Sequence, residues 1–425
     1  MQLKHNNISH TLLGASCALL GTHTHAQQWD IDAAILYYGE PDRVQAIEAI
    51  VSGTKEYSTD HSLSLKVVVD SLTGASANGA IEQDTPQTFT RPSGNGQYTI
   101  GANTTPLDDT FRDTRVQLSA QWTQPINRDW VYSGGATISR EYDYQSIAFN
   151  SSFSRYFNTK NTTLSVGTSL SFDTVDPVGG RPVALSEMVV DLGQFTNRED
   201  FNTAFYLTRD TNSKNRNTVD VIFGLTQIIT KRWITQFNIS LSNVDGYLND
   251  PYKLFSTINN QGESISQRFE SRPDSRFKQA LFAQSKYHFS RSVLDASVRI
   301  ADDDWGISSQ TLDLKYRFLL NNNHYIQPRF RYYQQHEAFF YRPFLSANTP
   351  TPDFISADYR VGQLNAYTVG VKYGFKNSKG NDYAVRLEYY TQTPINSGTV
   401  LPSQLTQEAV FPNVDALILQ FNYSF

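Results

Sequence analysis

The chain has 425 residues, of which 39% are hydrophobic, 13% aromatic and only 18% charged, with a mean hydropathy of −0.44. Tyr (24) and Phe (26) are abundant while Met (2) and Cys (1) are scarce, which is not the composition of a helical, Ala/Leu/Glu/Lys-rich enzyme. A net charge of −5 with no basic cluster excludes a nucleic-acid binder. No apolar run is long enough for a helical membrane span, but short alternating barrel strands are compatible with so low a hydropathy.

Residues 1–26 read as a secretory signal. Lys4 gives a positive start, Ile8 to Leu20 is weakly apolar, and Thr24-His25-Ala26 offers a small residue, so cleavage is expected after Ala26. Cys17 lies inside this segment, and Gly14 stands where a lipid anchor wants a large aliphatic residue. The mature chain, 27–425, is therefore expected to lack disulfides and thiolate metal sites.

From Trp29 onward one pattern repeats: segments of about ten residues, alternately apolar and polar, separated by turn residues. Leu63, Leu65, Val67 and Val69 alternate with Ser64, Lys66, Val68 and Asp70, and Leu312, Leu314, Tyr316 and Phe318 with Asp313, Lys315 and Arg317. A strand places each set on one face, whereas a helix would scatter it. In chain order the predicted strands are Trp29–Tyr38, Arg43–Glu56, His61–Leu72, Asp113–Thr123, Asp129–Arg140, Asp143–Phe157, Thr162–Thr174 and Thr218–Thr230. Arg232–Asn243, Phe277–Phe289, Ser292–Asp302, Trp305–Phe318, His324–Gln334, Gly362–Phe375, Asp382–Gln392 and Asn413–Phe425 complete sixteen. Counting from the first strand, every even-numbered connection is short. Every long one, Thr73–Arg112, Val175–Asn217, Val244–Arg276, Gln335–Val361 and Thr393–Pro412, falls on the other side. Short periplasmic turns with long outer loops predict an all-β, antiparallel up-and-down transmembrane β-barrel of 16 strands in the cell outer membrane. A soluble sandwich gives no reason for that asymmetry.

On the last strand Leu417, Leu419, Phe421, Tyr423 and Phe425 alternate with Ile418, Gln420, Asn422 and Ser424. Phe421, Tyr423 and Phe425 are expected to act as an insertion signal read by the barrel-assembly machinery. Trp29, Trp122, Trp130 and Trp233 lie near strand ends, as interfacial aromatic girdles require.

Ile35-Leu36-Tyr37-Tyr38 with Asp42-Arg43-Val44, Asp70-Ser71-Leu72-Thr73-Gly74-Ala75-Ser76 with Asn78-Gly79-Ala80, and the run Pro106 to Arg115 carry a family pattern. Gly246-Tyr247-Leu248 with Asp250-Pro251-Tyr252-Lys253 fits it as well. Over nearly the whole mature chain the sequence resembles an uncharacterised bacterial family, domain of unknown function 3570. The resemblance implies an outer-membrane barrel in a Gram-negative bacterium, and it brings no established activity.

Function must therefore come from the residues. His61, His288, His324 and His336 are dispersed, so no catalytic triad is visible and no enzyme is expected. No haem-attachment or phosphate-cradle motif occurs, and no cofactor is expected. Asp302-Asp303-Asp304 in an outer hairpin reads as a solvated turn before a calcium site, and Asp108-Asp109 with Arg112, Asp113 and Arg115 as an ion-pair knot before a metal site. In the later strands the inward set includes Lys278, Lys286, Arg299, Lys315, Arg317, Arg329, Arg331, Lys372 and Arg386, opposed chiefly by Asp295, Asp313 and Glu388. One wall of an acidic protein is thus basic. The 73–112 loop, with Glu82, Asp84, Asp108 and Asp109 against Arg91, is expected to fold inward as a constriction facing that wall. The expectation is a channel for small, anionic solutes narrowed by this loop, with outer-membrane lipid and lipopolysaccharide as surroundings. The rival is a structural barrel plugged by its loops that docks a partner or sheathes a periplasmic redox protein.

Overall fold

The computed structural model describes residues 29–425, so the segment read as a signal lies outside the described residues, as do the side chains of 109–111. Sixteen antiparallel strands close into one barrel in strict chain order. They are β1 Trp29–Gly39, β2 Val44–Ser58, β3 His61–Ala77, β4 Leu107–Pro125, β5 Trp130–Arg140, β6 Tyr144–Phe157, β7 Thr162–Val175 and β8 Lys214–Thr230. The second half comprises β9 Trp233–Gly246, β10 Ser275–His288, β11 Ser292–Asp303, β12 Ser308–Leu319, β13 His324–Gln335, β14 Leu364–Lys376, β15 Asp382–Pro394 and β16 Val414–Ser424. Closure is made by β1 against β16, with Ala33 opposite Tyr423 and Tyr37 opposite Leu419. All sixteen expected strands are present. Three begin or end elsewhere for a physical reason: β3 and β4 run on as a tall ribbon to Ala77 and Leu107, and β12 starts only at Ser308 because Trp305 is turned inward and buried.

The alternation sets the two faces. Leu65, Leu118, Ile138, Phe149, Phe237, Leu281, Val369 and Leu419 all point outward and are exposed, a band that only lipid can cover. Trp122, Trp130 and Trp233 join it near the short-turn end, where Trp122 also packs edge-on to His61. Phe421 and Phe425 share this outward face, and Tyr423 meets the Phe425 ring at 4.4 Å.

The long connections are not open loops. Gln87–Thr90 pairs with Gln97–Ile100, and Leu254–Ile258 stands between Ser264–Phe269 and Phe344–Ser346 in a three-stranded sheet. Arg198–Leu207 forms helix α1, started by Asn197, whose side chain accepts from the amides of Glu199 and Asp200. These pieces build a cap with its own apolar interior. Ile81, Ile258, Trp305, Phe340, Val361 and Phe411, from five connections, form one cluster; Phe89, Met188, Leu254 and Phe269 form a second; Phe255, Leu345 and Ile355 a third. The cap sits in the outer mouth, since the inward residues Leu364, Ala366, Val414 and Ala416 at the loop ends of β14 and β16 are buried.

Because the outward face meets lipid, Leu281→Arg should destabilise the barrel by about 2–4 kcal/mol if it lies near the midplane. Gln284→Arg, on the inward face of the same strand, should cost far less. Urea unfolding of the two variants in liposomes checks the difference, and equal losses would contradict the assignment of faces.

Candidate functional site: a cationic lumen under a folded cap

The cap is locked by charge. Arg272 places Nε 2.6 Å from Glu270 and Nη2 2.8 Å from Asp358, while Arg360 reaches Asp358 at 2.7 Å and Asp250 at 2.5 Å. Ser356 Oγ and the Asp250 amide both donate to Glu270 at 2.5 Å, and Lys253 donates to the Ala77 carbonyl. Glu270 and Asp358 are 2% and 1% exposed, so each charge is held by its partners alone. The network joins residues 77, 250–272 and 356–360 into one body. Gly79 seats the first of these connections: its φ of +95° is one that L side chains avoid, and a Cβ there would lie 2.3 Å from the Leu254 carbonyl oxygen. Family-pattern residues Asn78-Gly79-Ala80 and Asp250 to Lys253 thus serve this junction.

Below the cap the barrel is hollow. Arg299, Arg331 and Ile222 sit at mid-strand on the inward face and are exposed. The two sides of this lumen differ. On β4–β9 one inward row runs Gln121, Gly135, Asn150, Ser169, Asp220 and Ser242, mostly small and uncharged. On β10–β15 all nine cations named from the sequence share the inward face, by register with one another and opposite the exposed apolar residues. Short side chains on one wall leave room for long ones on the other.

Some of these cations are neutralised. Arg329 Nη2 lies 2.5 Å from Asp313 and its Nη1 3.0 Å from Glu388, although Glu388 is two strands away. Gly370 makes the reach possible: it stands between Arg329 and Glu388 in the register, and a Cβ there would come within 2.4 Å of Glu388 Cγ. Lys286 meets Asp295 at 3.5 Å, and Lys315 meets Asp313 at 3.6 Å. Lys278, Arg299, Arg317, Arg331 and Lys372 make no ion pair among the described residues.

The expected constriction takes a different form. The Glu82–Asp84 stretch is part of the cap: Gln83 donates to the Gly262 carbonyl at 3.1 Å and accepts from the Ser264 amide at 2.8 Å, with Glu82 half-buried and Asp84 exposed. Asp108 lies on the β4 extension, opposite Ser76, and the side chain of Asp109 is outside the described residues. Instead of one inward-folded constriction loop, six connections share the outer mouth, since none has enough apolar residues to bury alone. The knot around Arg115 is also drawn differently, because Arg115 pairs with Asp70 at 2.6 Å and Glu48 at 3.6 Å across the lumen face. Asp303 is engaged by Arg276 and caps the amides of Trp305 and Ile307, at 3.0 and 2.9 Å.

Asp113, Glu141 and Asp143 bring one oxygen each within 4.8 Å of one another. Burial and the neighbouring Asp113 push Glu141 up to about 7, and Asp143 accepts from the Tyr252 hydroxyl. His324 Nδ1 lies 2.7 Å from the Tyr373 hydroxyl, and His61 packs among Tyr57 and Trp122, so both belong to the short-turn aromatic ring.

The model of a family described as "Protein of unknown function (DUF3570)" matches residues 9–425. No curated protein matches the sequence. Among solved structures the chain is similar to the siderophore receptor PirA from Pseudomonas aeruginosa, at 8% identity and a TM-score of 0.41 over 94% of this chain and 62% of that one. It is similar also to a bacterial polysaccharide outer membrane secretin (8%, 0.43, covering 93% and 98%) and to CdiB from Acinetobacter baumannii (10%, 0.37, covering 94% and 60%). The chain spans about three fifths of the PirA receptors it matches. No ligand or activity carries over at such likeness.

The charge lock has a pH dependence with a definite sign. Burial, with Asp250 and Asp358 adding to it against Arg272, pushes Glu270 up to about 7. Its proton is therefore bound more tightly in the closed cap than in an opened one, and cap stability falls as pH rises from the ordinary carboxylate range to about 7. Although burial opposes it, Asp358 is held well below the usual range by Arg360, Lys253 and Arg272; its contribution is lost only at far lower pH. Protection of the outer loops from protease should decline between about pH 5 and pH 8, and Glu270→Gln should flatten the profile. Protection that rises over this interval would reverse the assignment.

Proposed function

We propose that this chain, which belongs to the DUF3570 family and is an outer-membrane β-barrel, provides a passage for small anionic solutes whose outer mouth is narrowed by the folded cap. The observation that carries the reading is the set of inward cations without ion pairs, Lys278, Arg299, Arg317, Arg331 and Lys372, in a lumen whose other wall is mostly small and uncharged. Such charges, focused by low-dielectric walls, raise the local anion concentration and repel cations over a range that salt screens within about 10 Å at 0.1 M. A barrel meant only as a filled scaffold gains nothing from unpaired lumen cations such as Arg299 and Arg331, where each would cost desolvation without a partner. The narrowing is assigned to the six outer connections that build the cap rather than to the 73–112 loop alone.

A second reading is favoured by the cap itself. Phe255, Phe340 and Ile355 are wholly or almost wholly buried there, as in a permanent plug, which suits a scaffold that presents a fixed outer surface or holds a periplasmic partner. The two readings differ in ion flux. In a planar bilayer the protein should pass current with a reversal potential that favours anions at low salt and relaxes as ionic strength rises. Arg299→Glu with Arg331→Glu should move the reversal potential toward cations. Ile258→Ala with Phe340→Ala, which together remove several kcal/mol of cap packing, should raise the conductance. A heat-modifiable, inserted protein that stays silent in wild-type and cap-loosened forms would remove the passage and leave the scaffold.

A further inference from the structure

The densest positive charge lies in the periplasmic half of the lumen and forms a belt. Lys372 is opposite Gln327 on one side and Arg386 on the other, and Arg386 is opposite Gln420, so these residues follow one another at a single height across β13–β16. Arg317 joins from β12: its Nε donates to Gln327 Oε1 at 2.9 Å and its guanidinium lies over the Tyr325 ring at 4.3 Å. Lys315 and Arg329 stand directly beside them. These five cations make ion pairs with only two carboxylates, Asp313 with Arg329 and Lys315, Glu388 with Arg329 and Arg386, while Asp295, opposite Lys315, is paired with Lys286. Arg386 Nε is buried without a hydrogen-bond partner.

Lys315, Arg329, Lys372, Arg386, Gln327 and Glu388 line a cavity of about 300 Å³, with the amides of Gln420 and Asn422 completing its wall, and Arg317 stands behind Gln327. Lys372 and Arg386 are each four residues from a short-turn end, at Lys376 and Asp382. At a rise of about 3.3 Å per residue this places them about 13 Å along the strand from the periplasmic rim, within reach of a solute entering from that side. An excess of positive charge held this closely needs a counter-charge, and one polyvalent anion can supply it while several monovalent ions would each have to be immobilised. Guanidinium groups and an ammonium, with amide donors beside them, match the oxygens of a carboxylate or phosphate.

We propose that this belt, centred on Lys372 and Arg386, is a binding site for one small oxyanion carrying two or more negative charges. The proposal takes its entry route from the anionic-passage reading, but binding can be measured without any current. The full chain, refolded in detergent at low salt and shown to be folded by heat-modifiable migration, is titrated calorimetrically with inorganic phosphate, succinate, acetate and chloride. Phosphate or succinate should bind saturably at one site, at least about tenfold tighter than acetate or chloride, as expected when a second charge finds its own partner. If phosphate is the tighter, the ligand is of the phosphate class; if succinate is, it is a dicarboxylate. Lys372→Gln should weaken the dianion at least about tenfold, Lys372→Arg should restore most of the loss, and Asn150→Ser, on the opposite wall, should leave the affinity unchanged. Absence of saturable binding, or equal binding of monovalent and divalent anions, would overturn the site. A protein that binds the dianion through Lys372 yet conducts nothing keeps the site and loses the passage; one that conducts anions without a dianion site does the reverse.

Discussion

Within a bilayer every backbone N–H and C=O must find a partner inside the protein, and for strands only closure supplies it. The pairing of β1 with β16 completes a ring of sixteen strands in which no edge is left, and everything else follows from that ring. Once it is closed, each strand has one face toward lipid and one toward the lumen. The period-two sequence then becomes two surfaces, one of Leu, Val, Ile and Phe and one of Ser, Asn, Lys and Arg.

Closure also creates a void that the chain must manage. At the outer mouth it is filled by connections too short of apolar residues to fold singly, which pool them into shared clusters and a buried network of Arg272, Arg360, Glu270 and Asp358. A network so deeply buried is weak as a source of stability but costly to break, so it specifies one arrangement of the loops. Lower down the void is kept open: the Ser- and Gly-rich wall gives width, and the wall of Lys and Arg gives a field. Glu388 shows how closely the two demands meet. It neutralises Arg329 across Gly370 and still contacts Arg386, so one carboxylate organises the cations around it without cancelling them.

Alternation along the chain is a local property, and so it determined by itself the strands from Trp29 to the final one, their number, their two faces and the side on which long connections fall. The inward placement of Arg329, Lys372 and Arg386 was legible for the same reason, since a strand that puts Val369 or Leu387 toward lipid must put its neighbours toward the lumen. The family pattern could be seen in Asp250 to Lys253, though not what those residues hold. Only the tertiary structure decided which charges meet. Asp250 and Glu270, from one connection, meet Asp358 from another far along the chain, and Arg329 reaches Glu388 because registers across two strand pairs align them with a glycine between. The long connections likewise carry no periodicity that announces a cap, because their apolar residues have no partner within their own segment. Burial there is a property of six segments together, brought side by side only after the barrel has closed.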